Sequence, residues 1–231
     1  MLDVAHNIAR LHERIRAAAQ NCGRDPGEIA LLAASKAQPA AVIEAARATG
    51  QRRFGENYLQ EALGKMVALN GHDIEWHYIG ALQANKTRAV AEQFAWVHTV
   101  DRERIARRLS EQRPAALPPL NVCIEVRLSD ESGKRGVAAP DTIALAEVVA
   151  KLPRLRLRGL MAIPAPVPDA TRQRIPFQRL RELRDDLNAR GHQLDTLSMG
   201  MSADLEAAIA EGSTLLRIGT AIFGPRAAKP G

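Results

Sequence analysis

Lys36 closes the apolar run "IALLAASKAQP", residues 29–39, directly before a polar, proline-marked turn, and it is the first side chain along the sequence with an obvious chemical use. A lysine is seldom buried without a partner, so one reading is a strand that ends at the surface and lets its last side chain reach water. The other is a desolvated amine, which loses part of its preference for the protonated form and becomes nucleophilic near neutral pH. Two later segments, "SMGMSAD" (198–204) and "RIGT" (217–220), have the composition of a phosphate site. Gly200 and Gly219 let the backbone approach an anion, while Ser198, Ser202 and Thr220 add hydroxyl donors beside the start of a following helix. In the alternative, Ser202 is only an N-cap and the glycines only turn residues. Asp204 in the first helical turn also competes with an anion for the positive helix end.

These residues need a scaffold that gathers positions 36, 198–204 and 217–220. From residue 29 onward, short apolar runs alternate with amphipathic stretches, with no composition shift that marks a linker. Strands are predicted at "IALLAASK" from Ile29, "RRFGEN" from Arg52, "EWHYIG" from Glu75, "AWVHTV" from Ala95, "LNVCIEVRLS" from Leu120, "RLRGLMAIP" from Arg156, "LDTLSMG" from Leu194 and "LLRIGTAIFG" from Leu215. Helical patterns lie between them, among them "YLQEALGKMVAL" and "FQRLRELRDDLNARG". Ahead of the first strand, Val4, Ile8, Leu11, Ile15 and Ala19 follow helical spacing and predict a further helix within residues 1–24. Eight strand-then-helix units fit a single (β/α)8 TIM barrel over residues 1–231, with the N-terminal helix as an extra element, the eighth helix shortened or displaced and a short tail at 227–231. An open doubly wound sheet is the alternative, but "SKAQPAAV" lacks the glycine-rich fingerprint usual after its first strand.

In such a barrel the working residues come from the C-terminal ends of the strands. That rule gathers Lys36, Glu56, Asn57, His77, Gly80, Arg127 and Met161 at one mouth with the loops after strands seven and eight. Those last loops are where barrels frequently bind phosphate. A phosphate site, a desolvated amine and Arg217 at one mouth suggest pyridoxal 5'-phosphate, held on Lys36 as a Schiff base. Arg217 facing the pyridine nitrogen can only donate, which leaves that nitrogen unprotonated and the cofactor a weaker electron sink. Asn57 and His77 are candidates to flank the ring by stacking or hydrogen bonding, and Met161 completes the set. Taken singly, Arg217 reads equally as a rim salt bridge, and His77 and Asn57 as satisfied structural polar residues.

Composition removes other classes. Hydrophobic residues make up 46% and charged residues 25%, an ordinary balance for a folded soluble protein. No apolar span approaches the roughly twenty residues of a membrane helix, and the N-terminus lacks the apolar core of a signal peptide. Cys22 and Cys123 are far apart without metal-ligand spacing, so neither a disulfide framework nor a zinc site is expected, and the default location is a reducing cytoplasm. The net charge of +6 raises nucleic acid as a partner, but the arginines of 172–184 are interspersed with acids, and aromatics are only 3%. No Walker loop, HExxH or GxSxG occurs.

Taken together, "LLAASKAQP", "FGENYLQE", "EWHYIGALQANK", "LRGLMAIPAP", "LSMGMSADLEAAIAEGS" and "RIGTAIFG" resemble, in order, the motifs of the pyridoxal phosphate homeostasis protein family, from about residue 30 to residue 226. The resemblance implies a single-domain barrel similar to the N-terminal domain of alanine racemase. It implies binding of pyridoxal 5'-phosphate without an established enzymatic reaction, a part in keeping the cofactor available at safe levels, and an influence on amino-acid and keto-acid balance. By motif, Lys36 is the Schiff-base lysine and Arg217 the partner of the ring nitrogen, with Ser198, Gly200, Ser202, Gly219 and Thr220 in the phosphate-binding segments. "GALQANK" departs from the family's usual proline and serine, and "RLSDESGKRG" arranges its charges differently, so Lys86, Arg127 and Lys134 are not carried over as ligands. The expected protein is a monomeric, cytoplasmic, non-catalytic carrier or buffer. Its partners are the small-molecule cofactor and the apoenzymes that use it, with no nucleic acid and no membrane. The alternative is a racemase-like enzyme, which needs a second base across the ring; the sequence offers only Tyr58 and Tyr78, and no second domain is expected.

Overall fold

The computed structural model describes residues 3–128 and 135–224; Lys134 and the tail at 227–231 lie outside the described residues. Eight parallel strands close a barrel: β1 (Ala30–Ala34), β2 (Arg53–Glu56), β3 (Glu75–Tyr78), β4 (Trp96–Val100), β5 (Leu120–Arg127), β7 (Leu155–Met161), β8 (Thr196–Ser198) and β9 (Leu215–Ile218). Closure is made by β9 against β1, with Ala30 opposite Leu215 and Ala33 opposite Ile218. The sheet is therefore a TIM barrel and not the open doubly wound alternative. A two-residue strand not expected from the sequence, β6 (Val137–Ala138), pairs with the end of β5 outside the ring.

The helices are α1 (Val4–Asn21), α2 (Ala40–Ala48), α3 (Leu59–Ala68), α4 (Thr87–Gln93), α5 (Glu103–Gln112), α6 (Thr142–Ala150), α7 (Ala170–Ala189), α8 (Leu205–Ala210) and α9 (Thr220–Phe223). As predicted, Val4, Ile8, Leu11, Ile15 and Ala19 form the buried face of α1. The eighth barrel helix is the four-residue α9, and α1 fills the space beside it. The Asn7 amide donates to Ile222 O at 2.9 Å, and Arg14 pairs with Glu206 on α8. Helix α7 departs from its expected start near Phe177 and begins seven residues earlier. The Asp169 carboxylate accepts the Arg172 N–H at 2.7 Å and starts the helix there, so Pro176 falls inside it and removes one backbone bond.

Most of the apolar core lies between barrel and helices, with Phe54, Trp76, Tyr78, Val97 and Leu160 turned outward against helical side chains such as Phe94 and Ile105. Inside the barrel the packing is different. A small cluster of Trp96, Cys123 and Met161 shares that space with His77, His98 and Arg217, all buried. Among the described residues no helix is long and apolar enough to cross a membrane, and no group of three His, Cys, Asp or Glu side chains is placed to hold a metal ion.

Candidate functional site

Lys36 stands two residues beyond β1, half-buried, in a turn where Ala37 has φ 61°. A left-handed conformation at a residue with a Cβ costs about 1 kcal/mol, so the surroundings must hold it. They do so through a buried polar group beneath the turn. Lys65 of α3 donates to Ser35 O at 2.9 Å and to Glu56 Oε1 at 2.8 Å, and also pairs with Glu61. Glu61 in turn accepts the Ala37 N–H at 2.6 Å, and the Ser35 hydroxyl donates to Glu56 at 2.5 Å. Burial pushes the Glu56 carboxyl up, and the bonds from Lys65 and Ser35 oppose that. Ser35, Glu61 and Lys65 are not among the residues that the sequence motifs predict. The available signal was Lys65 itself, which sits on the apolar stripe of Leu59, Ala62 and Leu69 and therefore requires a buried partner.

Lys36 lines a cavity of about 270 Å³ together with Ser202, Arg217, Gly219 and Thr220. Half of the ten predicted site residues thus meet in one place. The Ser202 hydroxyl accepts the Ala221 N–H at 3.3 Å, so it ties the loop after β8 to the start of α9 and does not cap its own helix. Gly219 and Thr220 stand where α9 begins, the position at which a helix presents N–H groups without intrahelical acceptors. The Asp204 carboxylate is turned back onto the Met201 N–H at 2.6 Å, so it is engaged within its own loop.

The other five predicted residues do not line this cavity. Ser198 is buried behind Arg217: the guanidinium donates to its hydroxyl at 2.7 Å, to its carbonyl, and to Ala162 O at 2.9 Å. Burial lowers the Arg217 pKa to about 10, which still leaves it protonated at neutral pH. Gly200 adopts φ 96°, and a Cβ there would meet Ala208 Cβ at 2.6 Å and Leu216 Cδ2 at 2.7 Å. Its glycine is required by the turn and by α8 packing. His77 is a correction to the expected ring contact. It points into the barrel interior, bonded to Glu75 and His98 and stacked on Trp96 at 5.3 Å, because its place in the β3 alternation directs it inward below the strand end. Met161 is likewise enclosed with Trp96 and Cys123. His98 is not among the predicted site residues; its signal in the sequence is a polar residue inside the apolar run "AWVHTV".

Asn57 instead lines a second cavity of about 750 Å³, with Thr99, Glu125, Arg127 and Arg135 among its walls; Lys86 lines neither cavity. The Asn57 side-chain oxygen is buried without a hydrogen-bond partner. Burial, with Asp101 nearby, pushes the Glu125 carboxyl up to about 7, against the pull of Arg217 and Arg135. A carboxyl whose native pKa exceeds its unfolded value near 4.3 costs the fold increasingly as pH rises between the two. Glu125→Gln is therefore expected to stabilise the protein by about 3–4 kcal/mol above pH 7, with no gain below about pH 4. Urea denaturation at both pH values checks this, and an equal effect at both would contradict it.

The sequence profile of the family described as "Alanine racemase, N-terminal domain" matches residues 6–227. A Pseudomonas aeruginosa protein named pyridoxal phosphate homeostasis protein is 60% identical over 226 residues, spanning 98% of this chain and 97% of its own. The protein of that name from Escherichia coli K12 is 55% identical over 229 residues, 98% of each chain. Among solved structures, PipY of Synechococcus elongatus PCC7942 with PLP bound is 35% identical and superposes with a TM-score of 0.84, over 96% of this chain and 100% of that one. Alanine racemase from Corynebacterium glutamicum shares 19% identity with a TM-score of 0.70, this chain spanning 62% of it, a likeness of fold alone.

Proposed function

The chain belongs to the pyridoxal phosphate homeostasis protein family, and from that premise we propose that it binds pyridoxal 5'-phosphate in the Lys36 cavity and serves as a carrier or buffer of the cofactor. One observation carries the assignment of the site: a lysine amine, a donor-only guanidinium and the hydroxyl and backbone donors of Ser202, Gly219 and Thr220 line a single cavity. That donor set fits the group. Lys36 holds the aldehyde end covalently, the loops after β8 and β9 hold the phosphate, and Arg217 donates to the ring nitrogen without being able to pass it a proton. When bound, the cofactor supplies a reactive aldehyde and a pyridine ring whose electron withdrawal depends on protonation of its nitrogen.

Holding is favoured over turnover by where the tyrosines lie. Tyr78 is buried, its hydroxyl donating to Ala81 O at 3.0 Å, and Tyr58 is 62% exposed; neither lines the Lys36 cavity. A base across the ring from Lys36 therefore has no tyrosine to supply it. On this reading the protein works as a monomer in the cytoplasm, where two free thiols are at ease, and passes its cofactor to apoenzymes that depend on it.

The test is spectroscopic. Protein mixed with the cofactor should develop a visible band, and borohydride reduction should fix the label on the peptide that contains Lys36. No band, or a label on another peptide of the unaltered protein, would sink the site assignment. Multiple-turnover racemisation of any amino acid, lost in Lys36→Ala, would sink the non-enzymatic part.

A further inference from the structure

The polar groups in the barrel interior form one continuous hydrogen-bonded chain that ends on Arg217. Glu75 Oε1, at the start of β3 and so at the end of the barrel away from the mouth, lies 2.9 Å from His77 Nε2. His77 Nδ1 lies 2.9 Å from His98 Nε2, His98 Nδ1 lies 2.8 Å from the Ser198 hydroxyl, and Arg217 donates to that hydroxyl at 2.7 Å. Both imidazoles are wholly buried, and the outer carboxylate also accepts from Arg53 at 3.2 Å.

Only one arrangement of protons satisfies every member. Burial lowers the pKa of both histidines, and the bond from His77 lowers that of Glu75, so the imidazoles are neutral and the carboxylate is ionised. An ionised carboxylate only accepts, which puts the His77 proton on Nε2 and makes its Nδ1 an acceptor. His98 must then donate from Nε2, leaving its own Nδ1 as an acceptor for the Ser198 O–H. At the other end a guanidinium can only donate, so Ser198 must offer a lone pair to Arg217 and needs somewhere to send its proton. His98 Nδ1 is that place. Were His98 in the other tautomer, Ser198 would face two donors and its own hydrogen would be buried without a partner, which costs more than the bond it replaces.

We propose that His98, with His77 and Glu75 behind it, is a positioning residue for Arg217: the chain fixes the tautomer that lets Ser198 hold the guanidinium in the cofactor cavity. The inference rests on the reading that Arg217 faces the ring nitrogen. A residue at the far rim of the barrel, Glu75, thereby acts on the electronic state of a group bound at the mouth. A chain that only filled space would not need an aligned set of protons, since apolar side chains pack such an interior at least as stably.

Two experiments test this. In cofactor-free protein labelled with 15N-histidine, NMR should show His77 and His98 both neutral and protonated on Nε2; protonation of His98 on Nδ1 would overturn the proposal. The second compares two amides of like polarity in cofactor-loaded protein. His98→Asn keeps an acceptor near the position of Nδ1, and His98→Gln moves it to the position of Nε2. Asn should bind the cofactor within about threefold of the wild type, while Gln should lose about tenfold in affinity, the usual worth of a hydrogen bond to a charged group. In Gln the visible band should also acquire a pH dependence that the wild type lacks, as the ring nitrogen loses its fixed donor. Ser198→Ala, a small change that does not depend on either variant folding, should resemble Gln. Wild-type spectra and affinities in Gln and in Ser198→Ala would overturn the proposal. Absence of any band in the unaltered protein would instead remove the cofactor reading on which it rests.

Discussion

Lys65→Met is expected to destabilise the protein by about 3–5 kcal/mol, the usual consequence of removing one partner from a buried ion pair. Glu56 is wholly buried, and Lys65 is its only charged hydrogen-bond partner among the described residues, with the other carboxylate oxygen already unpartnered. Without Lys65 the carboxylate must either stay charged in an apolar site or take up a proton, so its pKa rises further. The sign of the pH dependence follows. A raised native pKa favours the protonated fold, so the loss should be smallest near pH 4 and grow as pH rises through the native value. Adding Glu56→Gln to Lys65→Met should recover part of the stability at pH 8, since it removes the unpaired charge. Denaturation midpoints of wild type, single and double variants at the two pH values check this; a loss independent of pH would show that packing and not charge is responsible. The functional consequence should appear in the same variant. Lys65 holds Ser35 O and, through Glu61, the Ala37 N–H, so its removal releases the left-handed turn that carries Lys36. Cofactor affinity is expected to fall by about tenfold even where the variant is folded.

Gly80→Ala should be about equally damaging for a different reason. A Cβ on Gly80 would lie 2.0 Å from Asn57 O, a backbone atom with no rotamer to escape into. Gly80 O also accepts the Thr99 hydroxyl at 2.6 Å, so the glycine is the point where the ends of β2, β3 and β4 meet at the barrel mouth. Separating them should cost about 3 kcal/mol or more, at the upper end of what overpacking does. It should also displace Asn57 from the larger cavity. Gly64→Ala is the matched control. Gly64 lies inside α3 with nothing within 4 Å of its added Cβ, so the same change should stabilise the protein by about 1 kcal/mol. Urea midpoints moving in opposite directions would confirm the contrast, and a loss at both sites would refute it.

The barrel was legible because its evidence is local and repeated. Each strand shows as an apolar run and each helix as a 3.6-residue stripe, so α1 emerged with its buried residues correct, and the alternation implied closure without any long-range information. The start of α7 is less legible: the helical pattern is read from Phe177, whereas the Asp169 cap starts the helix at Ala170 and the helix tolerates Pro176 inside it. The candidate site was legible to the extent that it lies at strand ends. Lys36, Ser202, Arg217, Gly219 and Thr220 follow from counting strands and reading what comes after them.

Whether a strand-end residue faces the Lys36 cavity, the barrel interior or the larger cavity is settled by register around a closed ring. One residue along a strand reverses the direction of a side chain, so His77 and Met161 point inward while Asn57 lines the larger cavity. Pairings between elements are invisible to periodicity for the same reason. Glu56 with Lys65, and Glu75 through His77 and His98 to Ser198 and Arg217, join side chains on separate strands and helices whose mutual need arises only after burial has removed water from them. By itself the sequence determined the barrel, the amine at the end of its first strand and the glycine- and hydroxyl-bearing loops at the end of its last two. Tertiary structure alone decided which groups hold that amine and that guanidinium in place, because a buried charge or proton finds its partner across space and not along the chain.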